Sequence, residues 1–268
     1  MSTPDDVMAP LRARYAHWLG MDQDQVLQDR DEAAEDVRAL QLVLRMEKAT
    51  PPSWHTALGL AASATALVCL DPRATDPDGE WHAAIADYTT GHIRKVTRRA
   101  RGAQWEAVQD LPGVTLGDGD TQVRALLPGR VVDLDKRVTK LQVGGTDAPV
   151  DDQPTIDDDP GVLQMWLPPE PVMTLGKSMA QAGHAAMIGA ALLAASPGGP
   201  DVLTHWVELG CPAVGIRTTA ATWATLADQL TQPDEAWRRA RLLGVRDAGF
   251  TEIEAGTITV IARAPGPV

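Results

Sequence analysis

Cysteine is scarce in this sequence. Only Cys69 and Cys211 occur among 268 residues, so a disulfide framework is not expected and a reducing cytoplasm fits the composition. Long hydrophobic runs are also missing, because no stretch reaches the 18 apolar residues that a membrane-spanning helix needs. The N-terminus has neither a basic region nor an apolar core, so we expect no secretory signal.

Basic residues are too few for a general polyanion binder. The chain holds 24 Lys and Arg against 36 Asp and Glu, for a formal net charge of −12. Phosphate contacts come mainly from Lys and Arg, so this balance does not favour broad nucleic-acid binding. The exception is segment 92–101, which reads as a strand with five basic residues. This strand either offers positive charge to an RNA or is a basic edge strand that blocks pairing with other chains.

The apolar content of 44% is sufficient for one large core or two ordinary ones. We predict a helical N-terminal segment over 1–38, a first unit over 39–130 and a second unit over 161–268. Between the units, 131–160 is rich in Asp, Gly and Pro, and this composition is typical of a solvated acidic linker.

The two units match in short stretches as well as in outline. Leu40–Leu44 parallels Leu163–Leu167, and Arg99 followed by Trp105 parallels Arg217 followed by Trp223. We therefore predict an α/β fold, a tandem of two small mixed-sheet β-α-α-β-α-β-β units flanked by helices. The third helix of the second unit is expected to be long, over 220–241. The alternative is that short apolar runs coincide by chance.

A predicted helix over 175–195 carries three polar side chains in an alanine-rich surrounding. Lys177, Gln181 and His184 follow the spacing i, i+4, i+7, which places them on one helical face. Burying such groups without partners is costly, so this face should border a polar site. In the other interpretation, Thr174 caps the helix, Lys177 is solvated and His184 is a hydrogen-bonded core residue.

A second polar stretch begins at the end of a predicted strand, where functional groups of α/β proteins gather. It reads Asp247-Ala-Gly-x-Thr-x-Ile-x-x-Gly-Thr-x-Thr-Val. Together with Lys177-x-x-Ala-Gln-x-x-His-Ala-Ala, it resembles the type 2 peptidyl-tRNA hydrolase family over about 161–268. The first unit resembles that family only as a degenerate copy, because its corresponding helix lacks the three polar residues.

The resemblance implies a small mixed sheet with helices, often in a homodimer, and hydrolysis of the ester that joins a peptide to the tRNA 3′ ribose. It implies no metal and no cofactor, with peptidyl-tRNA as the partner. The catalytic positions that we carry over are Lys177, His184, Asp247 and Thr251, and the substrate-binding positions are Gln181, Thr259 and Arg246.

Elementary chemistry is compatible with these positions, because ester hydrolysis needs an aligned water and a donor for the developing oxyanion. Asp247 is expected to orient Lys177 or to accept a proton from water. Lys177 would stabilise the oxyanion or the 3′ phosphate region, and His184 would act as a base or position its neighbours. Structural roles stay open for Asp247, as an ion-pair partner, and for both threonines, as ordinary strand residues.

The sequence departs from the family pattern at Leu175, where members often carry a lysine, and at Met179, where alanine is usual. These departures and the acidic charge favour a rival hypothesis, a non-catalytic RNA- or protein-binding protein that kept the fold. A phosphate-binding loop at Gly176-Lys-Ser is disfavoured, because Pro171 stands where that motif needs glycine. A thiol hydrolase using Cys211, His184 and Asp247 is a further alternative. We expect a cytoplasmic monomer with internal pseudo-symmetry, or else a homodimer.

Overall fold

The computed structural model describes residues 4–21, 32–156, 159–247 and 253–267. The α-helices of this part of the chain are α1 (Pro4–Trp18), α2 (Trp54–Cys69), α3 (Glu80–Thr90), α4 (Ala103–Gln109), α5 (Lys136–Thr139), α6 (Leu175–Leu193), α7 (Gly199–Glu208), α8 (Ala220–Gln229) and α9 (Pro233–Ala240). The strands are β1 (Arg38–Arg45), β2 (Arg94–Ala100), β3 (Gly113–Asp118), β4 (Thr121–Leu126), β5 (Gly129–Arg130), β6 (Leu163–Leu167), β7 (Ala213–Arg217), β8 (Leu242–Arg246) and β9 (Ile258–Arg263). The predicted α/β class is confirmed.

The strands form two mixed sheets. In the first, the order is β2-β1-β4-β3, with β1 parallel to β2 and antiparallel to β4, and short β5 pairs with β1. In the second, the order is β7-β6-β9-β8, with β6 parallel to β7 and antiparallel to β9. The last two strands of each sheet, β3 with β4 and β8 with β9, pair antiparallel. Both sheets therefore have the same strand order and the same pairing directions.

Helices α2 and α6 occupy corresponding places in the two units and begin in the same way. The Ser53 hydroxyl accepts a hydrogen bond from the Thr56 amide at the start of α2, and Thr174 does the same for the Lys177 amide at the start of α6. Such N-caps satisfy backbone donors that the helix itself leaves unpaired. Both helices are rich in Ala and Gly and are almost entirely buried, which suits them to pack closely against each other and against the sheets.

Each of these helices also touches the edge strand of the other unit's sheet. A Cβ added at Gly59 of α2 would lie 2.4 Å from the Ala213 carbonyl oxygen on β7. On the opposite side, the Thr97 hydroxyl of β2 donates to the Gly176 carbonyl of α6 at 2.7 Å. One hydrophobic core accordingly draws its members from both units.

The predicted long helix over 220–241 is wrong. The chain forms α8 and α9 instead, with a break at 230–232. Pro233 cannot donate a backbone hydrogen bond, and its ring disfavours helical geometry at the preceding Gln232, whose φ of −123° and ψ of 79° lie outside the helical region. Proline therefore starts α9 rather than continuing α8.

The segment over 131–160 is more structured than its acidic composition indicates. It contains α5, and the side chains of Val138 and Leu141 are buried beside Trp105 in a small second core. Further along, the Asp151 carboxylate lies 2.8 Å from Nδ1 of the buried His55. Several points of this segment are thus attached to the first unit. In the predicted helical segment over 1–38, α1 is present, and 22–31 lies outside the described residues.

Among the helices that the structure describes, none combines the length and the apolar character needed to cross a membrane.

The contact at Gly59 gives a test of the packing between the units. We expect Gly59→Ala to lower the free energy of unfolding by about 1–3 kcal/mol, because the added methyl meets a backbone oxygen that cannot move alone. Urea denaturation measures this change. The matched control is Gly144→Ala, since nothing lies within 4 Å of a Cβ at that position. An unfolding midpoint for Gly59→Ala equal to or above that of the wild type would contradict the packing described.

Candidate active site

Three elements of the second unit meet at one end of its sheet. Helix α6 carries Lys177 and Gln181, Asp247 directly follows β8, and Thr259 is the second residue of β9. The pairing of β8 with β9 shifts register between Val245 and Arg246, next to Asp247. The structure thus brings four of the residues expected from the sequence together.

The Asp247 carboxylate is the centre of this cluster. Its Oδ2 accepts hydrogen bonds from the Lys177 ammonium and from Gln181 Nε2, the latter at 2.7 Å. The backbone around Asp247 is fixed as well, because its N–H donates to the Thr257 carbonyl at 2.9 Å and its own carbonyl accepts from Gly256 N–H at 2.7 Å. The carboxylate is consequently held by both side-chain and main-chain contacts.

The pair of Lys177 and Asp247 is largely withdrawn from water, with side-chain exposures of 13% and 5%. Charges of this kind persist in a protein interior only when they are paired and hydrogen-bonded. Removing one partner of such a pair typically costs about 3–5 kcal/mol, because the other charge stays buried. The Lys177 side chain keeps some exposure, so the pair borders the surface of the protein.

Gln181 links the carboxylate to the sheet. The fully buried Thr259 hydroxyl donates to Gln181 Oε1 at 2.8 Å and lies 3.2 Å from the Val245 carbonyl. The oxygen of the Gln181 amide accepts from Thr259, so the nitrogen of the same amide must point to Asp247. These two contacts fix the orientation of the amide. Thr259 therefore holds Gln181 in place from the sheet and does not face the surface.

His184 lies on the same helix but belongs to a different set of contacts. Its Nδ1 is 3.4 Å from Nζ of Lys95, which comes from β2 of the first unit. Burial, followed by the positive charges of Lys95 and Lys177, holds the pKa of His184 well below its usual value of 6.5. Burial likewise lowers the pKa of Lys95 to about 7. The imidazole is therefore neutral at physiological pH.

Two expected site residues are not part of this network. Thr251 lies outside the described residues. Arg246 is exposed, and its guanidinium donates to the Gly256 carbonyl at 3.1 Å, in the turn that precedes β9. That contact gives Arg246 a structural partner at the rim of the site.

Lys95 was missed by the sequence analysis as a site residue, although its strand was noted as basic. The other basic side chains of β2 contact the protein itself. Arg94 pairs with Glu32, Arg98 donates to Gln41 Oε1 at 2.7 Å, and Arg99 donates to the Gln142 side chain. These contacts favour the edge-strand interpretation of β2, since its guanidinium groups are engaged in holding the first unit together.

The alternative with a cysteine nucleophile is not supported. Cys211 is fully buried before β7, and burial raises the pKa of its thiol, whereas a reactive cysteine needs an accessible thiolate. Within the described ranges, no group of three or more His, Cys, Asp or Glu side chains is placed to hold a metal ion.

A cleft of about 1070 Å³ lies at the other end of α6, beside Leu192 and Ala195. Five arginines contribute to its lining: Arg12, Arg238, Arg239, Arg241 and Arg263. Two of them form ion pairs one helical turn apart, Arg238 with Asp234 and Arg239 with Glu235. Of the expected active-site residues that the structure describes, none lines this cleft.

The lowered pKa of Lys95 predicts a pH dependence of stability. Between about pH 7 and 10.5 the unfolded chain holds a proton on this amine that the folded protein has lost, so the free energy of unfolding should rise with pH. One proton gives a slope of at most about 1.4 kcal/mol per pH unit. We expect this rise in the wild type relative to Lys95→Met, measured by urea denaturation from pH 7 to 9.

The prediction concerns the difference in free energy of unfolding between wild type and Lys95→Met. This comparison is needed because the pKa of Cys69 also differs between the folded and the unfolded state. Burial raises the pKa of Cys69 to about 12, which lowers stability at alkaline pH in both proteins. Parallel stability curves for wild type and Lys95→Met would show that Lys95 keeps its ordinary pKa.

The second unit is similar to known proteins. Residues 167–268 match the family model described as peptidyl-tRNA hydrolase PTH2. A curated protein of Schizosaccharomyces pombe, named probable peptidyl-tRNA hydrolase 2, is 36% identical over 96 residues. That alignment covers 36% of this chain and 44% of the relative, so it spans less than half of either protein. All four residues of the Asp247 cluster lie in the range matched by the family model, so the similarity to the peptidyl-tRNA hydrolase PTH2 family includes the whole cluster.

Proposed function

We propose that this protein hydrolyses the ester bond of peptidyl-tRNA and releases peptide and tRNA. The observation that carries the proposal is the buried contact of the Asp247 carboxylate with Lys177 and Gln181, inside the range that matches the hydrolase family. A purely structural domain gains little from such a group, because burying a charge pair is often no better for stability than apolar packing. Retention of this arrangement at the end of a sheet supports a chemical role.

In the proposed reaction, water adds to the ester carbonyl carbon and the bond to the ribose 3′ oxygen breaks. One proton of the water ends on the ribose 3′ oxygen and the other is released to solvent, so the products are the peptide carboxylate, a proton and the free 3′ hydroxyl of tRNA. Lys177 is the donor that meets the oxyanion as it develops, and Asp247 orients that ammonium. Gln181, held by Thr259, positions the peptide. In this scheme Asp247 is mainly an orienting group, because its Oδ2 already accepts two hydrogen bonds.

We further propose that the first unit is a degenerate copy of the second. The common strand order of the two sheets and the matching starts of α2 and α6 support this origin. Counted from the N-caps Ser53 and Thr174, the positions of Lys177, Gln181 and His184 correspond to Thr56, Leu60 and Ser63 in α2. The first unit thus keeps the fold but lacks the polar residues of the site. A cytoplasmic location is part of the proposal, and the two free, buried cysteines are compatible with it.

The proposed activity is tested by hydrolysis of a labelled N-blocked aminoacyl-tRNA at low salt, where RNA binding is strengthened. We expect the wild type to cleave the ester, and Lys177→Met and Asp247→Asn each to lower kcat/KM about 100-fold or more, the cost of losing one oxyanion donor. Circular dichroism and thermal melting establish that each variant is folded.

The matched control is Asp118→Asn, at the end of the corresponding strand of the first unit, where the side chain is exposed. It should keep the activity of the wild type. If the folded wild type released no peptide, the proposal would be overturned in favour of a binding protein that kept the fold. Unchanged activity in Lys177→Met would remove that residue from the mechanism.

We propose that the protein is a monomer, since the reciprocal packing of α2 and α6 already pairs the two units within one chain. Sedimentation equilibrium should give the mass of a single chain, 28.6 kDa. A stable dimer joined through its C-terminal units would contradict this assembly.

A further inference from the structure

The first unit places one charged side chain beside the site of the second. Lys95 lies on the edge strand β2, and its methylenes pass α6 to bring Nζ to 3.4 Å from His184 Nδ1. The same Nζ is 3.0 Å from Sδ of Met187, 3.3 Å from the Tyr88 hydroxyl oxygen and 3.4 Å from the Ile93 carbonyl. The Lys95 side chain is half-buried, and these contacts hold its amine in place.

The surroundings of Lys95 show which way its hydrogen bonds run. The Tyr88 hydroxyl hydrogen is directed to the carbonyls of Ile93 and Arg94, at 2.7 and 2.8 Å, so its oxygen is left to accept from Lys95. The Ile93 carbonyl is an acceptor by nature. Below about pH 7 the Lys95 amine is an ammonium with three N–H donors. The thioether sulfur of Met187 is a weak acceptor, so the third N–H is directed to Nδ1 of His184. Each of the three donors thus has an acceptor.

A glycine makes room for this approach. A Cβ added at Gly183 would lie 3.0 Å from both Cδ and Cε of Lys95 and 2.8 Å from the Thr65 hydroxyl oxygen. These distances are shorter than ordinary van der Waals contact, so a side chain at this position would displace the lysine. The residue that precedes His184 therefore controls the access of Lys95 to the imidazole.

We propose that Lys95 is a positioning residue of the active site: it donates to Nδ1 of His184 and thereby places the single ring proton on Nε2. A neutral imidazole that accepts at one nitrogen carries its hydrogen on the other. His184 then offers an N–H to the ester oxygen or to the oxyanion, beside the ammonium of Lys177. This inference rests on the proposed hydrolase function for its catalytic consequence, whereas the tautomer is a property of the protein alone.

The charged and titratable groups around the ring agree with a neutral donor. Lys95 and Lys177 both disfavour a protonated His184, and Cys69 and Tyr88 stand behind Lys95 with pKa values raised by burial. A histidine whose pKa lies well below 6.5 is a weak base at physiological pH. From the sequence, His184 was expected either to act as a base or to position its neighbours. In this proposal His184 is a hydrogen-bond donor and not a general base.

The test is the tautomer of His184, read from long-range proton–nitrogen correlations of protein labelled with 15N-histidine. The chain has six histidines, and His184→Gln assigns the signal. At pH 6, below the pKa of about 7 at which Lys95 loses its proton, we expect the wild type to carry the histidine proton on Nε2. Lys95→Met should produce a mixture of tautomers, and Gly183→Ala should do the same without removing the charge. Lys140→Met, at an exposed position, is the matched control and should leave the signal unchanged.

Hydrolysis of the N-blocked aminoacyl-tRNA by the same variants adds a second readout. We expect Lys95→Met to lower kcat about 10-fold with little change in KM, because the donor is misplaced and the binding surface is not. A wild-type ring protonated at Nδ1, or an unchanged tautomer and kcat in folded Lys95→Met, would overturn the inference while leaving the hydrolase proposal intact. If the wild type does not hydrolyse the ester, the hydrolase proposal fails, and the tautomer still decides whether Lys95 orients His184.

Discussion

The close packing of α2 against α6 is the contact on which the rest of the molecule depends. The two helices can approach because their facing surfaces are built from Ala and Gly, and each then reaches the edge strand of the opposite sheet. Gly59 admits the carbonyl of Ala213, and Gly183 admits the side chain of Lys95. Close packing of this kind joins the two sheets into one core. It also means that the environment of the site is not built by the second unit alone.

The two units show how one scaffold accepts different chemistry. In the second unit, the Asp247 carboxylate is buried with two side-chain donors and a fixed backbone, an arrangement that is costly unless every partner is present. In the first unit, the corresponding helix positions hold Leu60 and Ser63, and Ser63 bonds only within its own helix, to the Gly59 carbonyl. The first unit can therefore remain stable without a polar network while it supports the other unit through β2 and α2.

Much of the fold and of the candidate site could be predicted from the sequence, because the patterns that indicate them are local in the chain. Periodicity placed Lys177 and Gln181 on one helical face, and the Asp247 motif marked the end of a strand. The helix break before Pro233 had a visible signal in the sequence, the proline itself, which the predicted helix over 220–241 did not take into account. The contact of Lys95 with His184 joins residues 89 positions apart, so no local pattern reports it. His184 lies on the helix that the sequence predicts, but its partner depends on how the two units pack.

The decisive measurement is a crystal structure with a non-hydrolysable mimic of the substrate end, a 3′-peptidylamino adenosine in which an amide replaces the ester. We predict that the amide carbonyl lies within hydrogen-bond distance of the Lys177 ammonium and near His184, at the Asp247 end of α6. Binding of the mimic in the arginine-lined cleft at the other end of α6, or at the end of β3 in the first unit, would contradict it.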